Sequence, residues 1–190
     1  MLNILFLILQ IILLIVLFGT AILFILWAIG NLKNKVPFVT TSNAVLEDIN
    51  KALEVKDNSV VYDLGCGDGR ILFHLSHFNK NARYIGIENS VFPLLLARFG
   101  AFLNKKKEGV KVEIIKGDFF KQDLSNATHV FTYLYPNIMD ELLSKFENKF
   151  KPGTRLVSLS FKFSSKIPIS EVDLKRSKYK LGRKLFVYQF

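Results

Sequence analysis

The sequence predicts an α/β fold in which a sheet of mainly parallel strands carries helices on both faces, preceded by one membrane-spanning helix. Residues 1–32 contain no charged side chain. An apolar run at residues 60–64 breaks into a glycine-rich turn and resumes with a helical pattern at residue 71. Strand-like and helical patterns then alternate as far as residue 163, and such alternation predicts parallel strands joined by crossover helices.

Length and composition set the limits of this prediction. A chain of 190 residues has room for one domain and an accessory segment. Lysine and arginine number 26 against 16 acidic residues, which gives a net charge of +10. Anionic lipid, nucleic acid and acidic protein would all suit this excess, so charge does not choose among them. Cys66 is the only cysteine and excludes an intrachain disulfide, and the three histidines lack metal-site spacing, so we expect no metal.

The N-terminal segment is predicted to be a membrane anchor over residues 1–32. A helix crosses the hydrocarbon core with about 20 apolar residues, and this run is longer. A secretory signal would show a basic start, a shorter apolar region and a small-residue cleavage site, none of which is evident. Lys33 and Lys35 follow the span while no basic residue precedes it, so the positive-inside rule predicts a cytoplasmic domain. Trp27 suits an interfacial anchor or a lipid-facing position equally well.

A short polar linker at residues 33–43 is predicted to join the anchor to a domain at residues 44–190. Pro37 favours an extended chain in this linker. Apolar residues then recur at helical spacing from Asn43 to Leu53, with Ser42 or Asn43 as the candidate N-cap. We expect this helix to lead directly into the first strand.

The remaining elements follow in order from the hydrophobic patterns. Helices are predicted at residues 71–77, 90–104 and 138–150, and strands at residues 60–64, 82–88, 110–115, 130–134 and 154–163. Residues 164–170 are too few and too proline-broken for another helix. Two basic alternating runs between Val172 and Phe190 meet at residues 181–183, which predicts an antiparallel hairpin.

The turn at residues 65–69 is the first candidate binding element. Its three glycines let a ligand approach the backbone, and the N-terminus of the helix that follows attracts negative groups. A dinucleotide fingerprint would need glycine where Arg70 stands, so NAD is the weaker interpretation. Cys66 suits a small residue packed under the ligand, because no motif supplies a base that would make its thiol reactive.

Glu88 is the second candidate, because it ends the second predicted strand about 20 residues past the glycine turn. A carboxylate there can accept hydrogen bonds from both hydroxyls of a ribose. Ligands of open α/β sheets bind beyond the carboxyl ends of the strands, where Gly65, Asp118 and Tyr133 are also expected. A glycine turn in an ordinary α/β protein, with Glu88 merely solvated, is the alternative.

The motif Asp-Leu-Gly-Cys-Gly-Asp-Gly at residues 63–69, followed by Gly-Ile-Glu at residues 86–88, resembles the first two motifs of class I S-adenosylmethionine-dependent methyltransferases. The resemblance covers about residues 59–134 and implies a Rossmann-like sheet, a C-terminal antiparallel hairpin and S-adenosyl-L-methionine as cofactor. It implies cofactor contacts in three groups: the methionine part at Asp63, Gly65, Cys66, Gly67 and Gly69; the ribose at Glu88; and the adenine at Asp118 and Phe119. Asn89, next to Glu88, is a further candidate for cofactor binding. A solvated turn at Asp118 and a core position for Phe119 remain alternatives.

A narrower resemblance joins the span to five short motifs. These are Val-Pro-Phe-Val at residues 36–39, the glycine motif, Gly-Ile-Glu at residues 86–88, Leu-Ala-Arg at residues 96–98 and Tyr-Leu-Tyr-Pro at residues 133–136. Together they resemble membrane-anchored protein-lysine methyltransferases related to those of the adenine nucleotide translocase and the c subunit of ATP synthase. The resemblance implies the bilayer and a membrane-protein substrate as partners, with Tyr133 first and Tyr135 second as catalytic candidates. Both tyrosines could instead be packing residues.

The sequence is also compatible with other functions. A lipid or quinone-like amphiphile would gain as much from tethering as a membrane-protein lysine, and a non-catalytic scaffold could retain the fold. Nucleic acid is disfavoured, because the segment after the fourth strand lacks the Asn/Asp-Pro-Pro-aromatic motif of many adenine-directed enzymes. Residues 105–107 and the basic residues between 175 and 184 could form a surface for anionic lipid or RNA, although solvated positions are the default.

Overall fold

The computed structural model of this chain describes residues 2–33, 41–174 and 183–190. Its helices are α1 (Leu2–Lys33), α2 (Leu46–Leu53), α3 (Arg70–Phe78), α4 (Val91–Glu108) and α5 (Pro136–Phe146). Its strands are β1 (Val60–Leu64), β2 (Arg83–Glu88), β3 (Val112–Lys116), β4 (His129–Thr132), β5 (Arg155–Leu159), β6 (Ser170–Asp173) and β7 (Lys184–Gln189). The predicted order of helices and strands is confirmed.

The seven strands form one sheet in the order β3-β2-β1-β4-β5-β7-β6. The first five of these are parallel to one another, whereas β7 runs antiparallel to both β5 and β6. This topology confirms the predicted Rossmann-like sheet with a C-terminal antiparallel pair. The turn predicted at residues 181–183 falls mostly within residues 175–182, which lie outside the described residues.

Alternating side chains on the strands build a core on each face of the sheet. On one face Val61 and Phe131 pack with buried residues of α2 and α3. On the other face Tyr62 and Val130 pack with buried residues of α5. Helix α4 lies on the same face as α3 and contacts β2 and β3. The sheet is therefore covered on both sides, as the alternation of strands and helices predicted.

Several predicted element ends were wrong, among them the end of strand β5 and both ends of helix α5. Strand β5 ends at Leu159 rather than at residue 163, because Ser160 has φ +71°, a left-handed conformation that interrupts an extended strand. Helix α5 begins earlier than predicted, with Pro136 in its first turn, where the missing N–H costs nothing. It ends at Phe146 rather than at residue 150.

The helix predicted from Asn43 to Leu53 is present. The Ser42 hydroxyl accepts a hydrogen bond from the backbone N–H of Ala44 and caps a short 3-10 turn, Asn43–Val45, which leads into α2. Ile49 and Leu53 of α2 are fully buried against the sheet. The boundaries that we predict for the anchor, the linker and the domain remain predictions.

Helix α1 is long and apolar enough to cross a membrane, and it is the one such helix among the described residues. Its segment Ile4–Ile25 has a mean hydropathy of 2.9, and none of it is buried inside the structure. The residues behind several linker predictions, among them Lys35, Pro37 and the motif at 36–39, lie outside the part that the structure describes. The side chains of Trp27 and Lys33 are outside it as well.

Candidate functional site

The carboxyl ends of the parallel strands meet at one edge of the sheet. Leu64 at the end of β1 is level with Ile87 of β2 and with Thr132 of β4, and Thr132 is level with Ser158 of β5. The segments that follow these strands therefore begin side by side. They are the glycine turn, the Glu88 segment, the tyrosine segment and a loop after β5.

The glycine turn has a conformation that side chains would oppose. Gly65, Gly67 and Gly69 have φ values of +77°, +59° and +80°, which glycine adopts readily and other residues rarely. The backbone N–H groups of Gly65 and Cys66 both donate to the Ile87 carbonyl, at 2.9 and 3.1 Å. The turn is thus fixed to β2 before α3 begins at Arg70.

Glu88 holds the glycine turn from the other side. Its side chain is buried, and its Oε2 accepts a hydrogen bond from the Gly67 N–H at 2.9 Å while its Oε1 accepts one from the Ser90 N–H at 2.7 Å. Each carboxylate oxygen has a second acceptor position, so Glu88 can still receive a hydroxyl. Asn89 beside it is exposed. The sequence indicated a ligand-binding role for Glu88, but it did not indicate that Glu88 also holds the backbone of the glycine turn.

Asp63, one residue before the end of β1, is buried beside this turn. Burial raises the pKa of its carboxyl well above the ordinary value, and the negative charges of Glu88 and Asp68 raise it further. Its Oδ2 has no hydrogen-bond partner. A buried carboxylate oxygen without a partner is costly, and a cationic donor such as an ammonium group would reduce that cost. The acidic pair of Asp63 and Glu88 therefore suits a ligand with a positive charge.

Cys66 is a free cysteine packed beneath the turn. Burial is the main cause that raises the pKa of its thiol, followed by the charges of Asp63 and Glu88. A Cβ added to Gly86 of β2 would lie 2.6 Å from the Cys66 Sγ, so the glycine turn packs on β2 too closely for a side chain at residue 86. A raised pKa disfavours the thiolate, so Cys66 acts as packing rather than as a nucleophile.

Arg70 joins the turn to the segment that follows the linker. Its guanidinium pairs with the Asp68 carboxylate and donates through Nη1 to the Thr41 carbonyl at 3.0 Å. From the sequence, Arg70 indicated only that the turn does not match a dinucleotide-binding fingerprint. The spacing of Asp68 and Arg70 was the one available signal for their pairing, whereas the contact with Thr41 depends on the fold.

Asp118 and Phe119 follow β3 at the same edge. The Asp118 Oδ1 accepts a hydrogen bond from the Phe120 N–H at 2.9 Å and opens a 3-10 turn, Phe119–Lys121. The rings of Phe119 and Phe120 have centroids 4.5 Å apart, and both pack partly buried against the core on the α5 side. Asp118 thus shapes the local backbone, and the adenine contacts remain a prediction.

Three aromatic side chains, Tyr133, Tyr135 and Phe161, form what we call the aromatic wall. The ring centroids of Tyr133 and Tyr135 lie 6.3 and 5.5 Å from that of Phe161, and all three rings are half-buried. Burial raises the pKa of Tyr133, a hydrogen bond with Ser160 lowers it, and the nearby Tyr135 raises it. Sequence reasoning missed Phe161 and Ser160, because it placed them inside the fifth strand rather than in the loop after it.

Two of the three histidines, His74 and His77, lie on helix α3, and each approaches a carboxylate. His77 lies 3.2 Å from a carboxylate oxygen of Glu108, and His74 lies 3.9 Å from one of Glu47. Within residues 2–33, 41–174 and 183–190, no group of three or more His, Cys, Asp or Glu side chains is arranged to hold a metal ion.

Comparison with known proteins identifies a family profile and curated relatives that match this chain. The profile of the ANTKMT methyltransferase domain matches residues 63–170. A protein-lysine N-methyltransferase of Saccharolobus islandicus (strain REY15A) is 37% identical over 128 residues, which cover 66% of this chain and 77% of that protein. The Homo sapiens lysine N-methyltransferase of the ATP synthase c subunit is 27% identical over 129 residues, which cover 67% of this chain and 52% of that protein.

A solved structure has the same fold. The crystal structure of an RNA methyltransferase from Salinibacter ruber, in complex with S-adenosyl-L-homocysteine, superposes with a TM-score of 0.71 at 31% identity. The match covers 80% of this chain and 93% of that one. The chain spans about half the length of other curated relatives, among them the human enzyme at 52% and a carboxy-S-adenosyl-L-methionine synthase of Citrobacter koseri at 47%.

Proposed function

Because the chain belongs to the ANTKMT methyltransferase domain family, and is thus an S-adenosylmethionine-dependent methyltransferase, we propose that it methylates a lysine side chain of a membrane protein. The observation that carries this proposal is the family match over residues 63–170, which spans the glycine turn, Glu88 and both tyrosines of the aromatic wall. The lysine-directed relatives from Saccharolobus islandicus and Homo sapiens support the choice of acceptor.

We assign the cofactor to the edge of the sheet where the glycine turn lies. Asp63 and the backbone of residues 65–69 hold its methionine part, since the unpartnered Oδ2 of Asp63 suits an ammonium group. Glu88 and Asn89 take the ribose hydroxyls, and Asp118 with Phe119 contacts the adenine. When bound, the cofactor supplies an electrophilic methyl group on a sulfonium.

The acceptor must arrive as a neutral amine, because an ammonium has no lone pair. With an ordinary lysine pKa of about 10.4, the neutral form costs roughly 4–5 kcal/mol at pH 7. Desolvation against the aromatic wall lowers the pKa of an amine placed there. The Tyr133 hydroxyl is the candidate acceptor for a hydrogen bond from that amine, and Tyr135 and Phe161 hold the Tyr133 ring from the side. The wall thus positions the amine and excludes water.

The membrane is part of the proposal. We propose that α1 spans the bilayer and that the domain lies on the cytoplasmic side. A link of about ten residues spans at most about 35 Å even when fully extended, so it confines the active site near the membrane. A soluble substrate gains nothing from that confinement, whereas a lysine close to the bilayer gains a high local concentration.

Two other acceptors have some support. An amphiphile would gain the same local concentration, and the RNA methyltransferase of Salinibacter ruber shares the fold at 31% identity, so RNA is a further candidate. A non-catalytic scaffold has lost its support, since the chain belongs to a methyltransferase family.

The experiment that separates the acceptors uses the full chain, methyl-labelled S-adenosylmethionine and membranes from the source cell, followed by separation of protein, lipid and RNA. We expect label in protein, on lysine, and none when Asp63→Asn replaces the wild type. Label confined to the lipid extract or to RNA would reject the lysine proposal. A matched Glu113→Gln variant, which loses an exposed carboxylate on β3, should label protein normally.

A further inference from the structure

Helix α4 has an apolar outer face that is exposed in the described part of the chain. Six large apolar side chains on it are between 36% and 63% exposed: Val91, Leu95, Leu96, Phe99, Phe102 and Leu103. We call this set the outer face of α4. Monomeric soluble proteins rarely leave such a contiguous apolar patch in water, so it indicates a contact with something apolar.

The outer face is distinct from the side of α4 that packs on the domain. Leu94 and Ala97 are buried, at 3% and 0% exposure, and Ala101 packs partly buried against the core. With about 3.6 residues per turn, Leu95, Phe99 and Leu103 lie on the opposite side of the helix from these three, and the other outer-face residues flank them. Helix α4 is therefore apolar on two opposite sides, a pattern typical of helices covered on both.

The charges on α4 favour a lipid surface over another protein core. Lys105, Lys106 and Lys107 are exposed in its last turn, and Arg98 is exposed midway along it. The Nζ of Lys106 lies 4.5 Å from the centroid of the Phe102 ring, so the basic groups directly border the apolar ones. Aromatic and leucine side chains flanked by lysine and arginine are typical of helices that lie in the membrane interface.

The position of α1 points to the same occupant. Helix α1 contacts α4, yet the outer face remains exposed with α1 in place and Ile4–Ile25 is not buried. A bilayer that α1 spans would therefore begin next to the outer face. Anionic headgroups complement the lysines, and the acyl boundary complements the phenylalanines.

We propose that the outer face of α4 lies in the interface of an anionic bilayer, beside the point where α1 enters it. This inference rests on the proposed anchoring by α1. Its consequence concerns the active site, because α4 begins at Val91, close after Glu88 at the carboxyl edge of the sheet. A domain held by both α1 and α4 cannot rotate freely about its tether, so the edge with the aromatic wall keeps one orientation toward the membrane.

The test places an environment-sensitive fluorophore at single cysteines of the full chain in nanodiscs of phosphatidylglycerol. Cys66 is buried and free, so the unsubstituted chain gives the labelling background. Phe99→Cys reports on the outer face, where the native side chain is 63% exposed. Ser144→Cys is the matched aqueous control, on an exposed position of α5 across the sheet. Leu14→Cys, in the middle of α1, is the control for membrane insertion.

We expect quenchers attached to lipid chains to quench the Phe99 and Leu14 probes, and aqueous iodide to quench only the Ser144 probe. A Phe99 probe that behaves like the Ser144 probe while the Leu14 probe stays in lipid would overturn the docking and leave the anchor standing. An aqueous Leu14 probe would instead contradict the anchor. A second copy of the chain would also protect the Phe99 probe from iodide. If that protection disappears in discs that carry one copy of the chain rather than two, the second copy is the occupant and the proposal is overturned.

A separate measurement tests whether docking of the outer face of α4 depends on anionic lipid and on the three lysines. Replacement of Lys105, Lys106 and Lys107 by Gln should reduce lipid quenching of the Phe99 probe in phosphatidylglycerol discs. Discs of phosphatidylcholine should give a similar loss with the unsubstituted lysines. Equal quenching in both lipids would overturn the assignment of an anionic surface.

Discussion

Single residues at the edge of the sheet hold the glycine turn, and we propose that they also bind the cofactor. We assign both roles to Glu88, since each of its oxygens already accepts a backbone hydrogen bond and keeps a second acceptor position. The sequence predicted the place of Glu88, because a strand pattern ended there. It could not predict the bonds to Gly67 and Ser90, because they depend on how the turn folds back over β2.

Replacement of Glu88 by Gln should weaken binding of S-adenosyl-L-homocysteine. The amide keeps the size of the side chain but turns one acceptor into a donor that faces a backbone N–H. We expect a loss of about 1–3 kcal/mol, or roughly 5- to 150-fold in Kd. Calorimetry on the full chain measures it, with Glu113→Gln as the charge-matched control. An unchanged affinity would show that Glu88 does not contact the cofactor.

Asp63 leads to a prediction about stability and pH. Its pKa is higher in the folded chain than in the unfolded one, so between the two pKa values the folded state keeps a proton that the unfolded state has released. Stability is therefore lost as pH rises through that window. Asp63→Asn should raise the Tm of the cofactor-free chain near neutral pH and flatten its pH dependence, while affinity for S-adenosyl-L-homocysteine falls.

Thermal unfolding over a pH series, paired with calorimetry, tests both halves of that expectation. Glu113→Gln again serves as the control, since its carboxylate is exposed. A lower Tm with a steeper pH dependence would mean that the charged form of Asp63 stabilises the fold.

Tyr133 and Tyr135 can be separated by removal of one hydroxyl at a time. Tyr133→Phe should lower kcat for lysine methylation without a change in cofactor affinity, because we assign the contact with the amine to its hydroxyl. Tyr135→Phe is the matched control and should keep most of the activity. The pKa of Tyr133 is raised, so its hydroxyl stays protonated through neutral pH and the loss should not depend on pH there. Full activity in both variants would limit both tyrosines to packing.

At the level of elements, the aromatic wall depends on two loops that follow neighbouring strands. The tyrosine segment after β4 was predictable, but Phe161 was assigned to a strand because apolar residues continue through Phe163. The left-handed backbone of Ser160 ends β5 early, and a serine in the sequence does not indicate that conformation. The sequence therefore predicted the two tyrosines of the wall but not Phe161, because the loop that carries Phe161 has the hydrophobic pattern of a strand.

Replacement of Phe161 by Ala should impair the acceptor side alone. Its ring contacts both tyrosines, and aromatic pairs contribute about 0.5–1.5 kcal/mol beyond their buried area. We expect kcat/KM for the lysine substrate to fall about 2- to 10-fold, with affinity for S-adenosyl-L-homocysteine unchanged and activity restored by Phe161→Tyr. A fall in cofactor affinity instead would place Phe161 on the cofactor side.

For the whole molecule, the order of strands and helices followed from periodicity, because each buried strand and each one-sided helix leaves its own pattern. The α4 outer face did not follow, since an apolar helix pattern does not reveal which side meets the sheet. The anchor at residues 1–32 rests on composition and on the length of α1. The side of the membrane rests on Lys33 and Lys35, so it remains a prediction of the positive-inside rule.

The proposed methyl transfer to lysines of a membrane protein can be tested directly with the full chain. Source-cell membranes are incubated with the chain and with S-adenosylmethionine that carries a deuterated methyl group, and their proteins are then analysed by mass spectrometry. We expect deuterated methyl-lysine in peptides of a membrane protein, with the signal lost in Asp63→Asn and kept in Glu113→Gln. Deuterated methyl groups found only in lipid or RNA, or equal lysine labelling by Asp63→Asn, would contradict the proposed function.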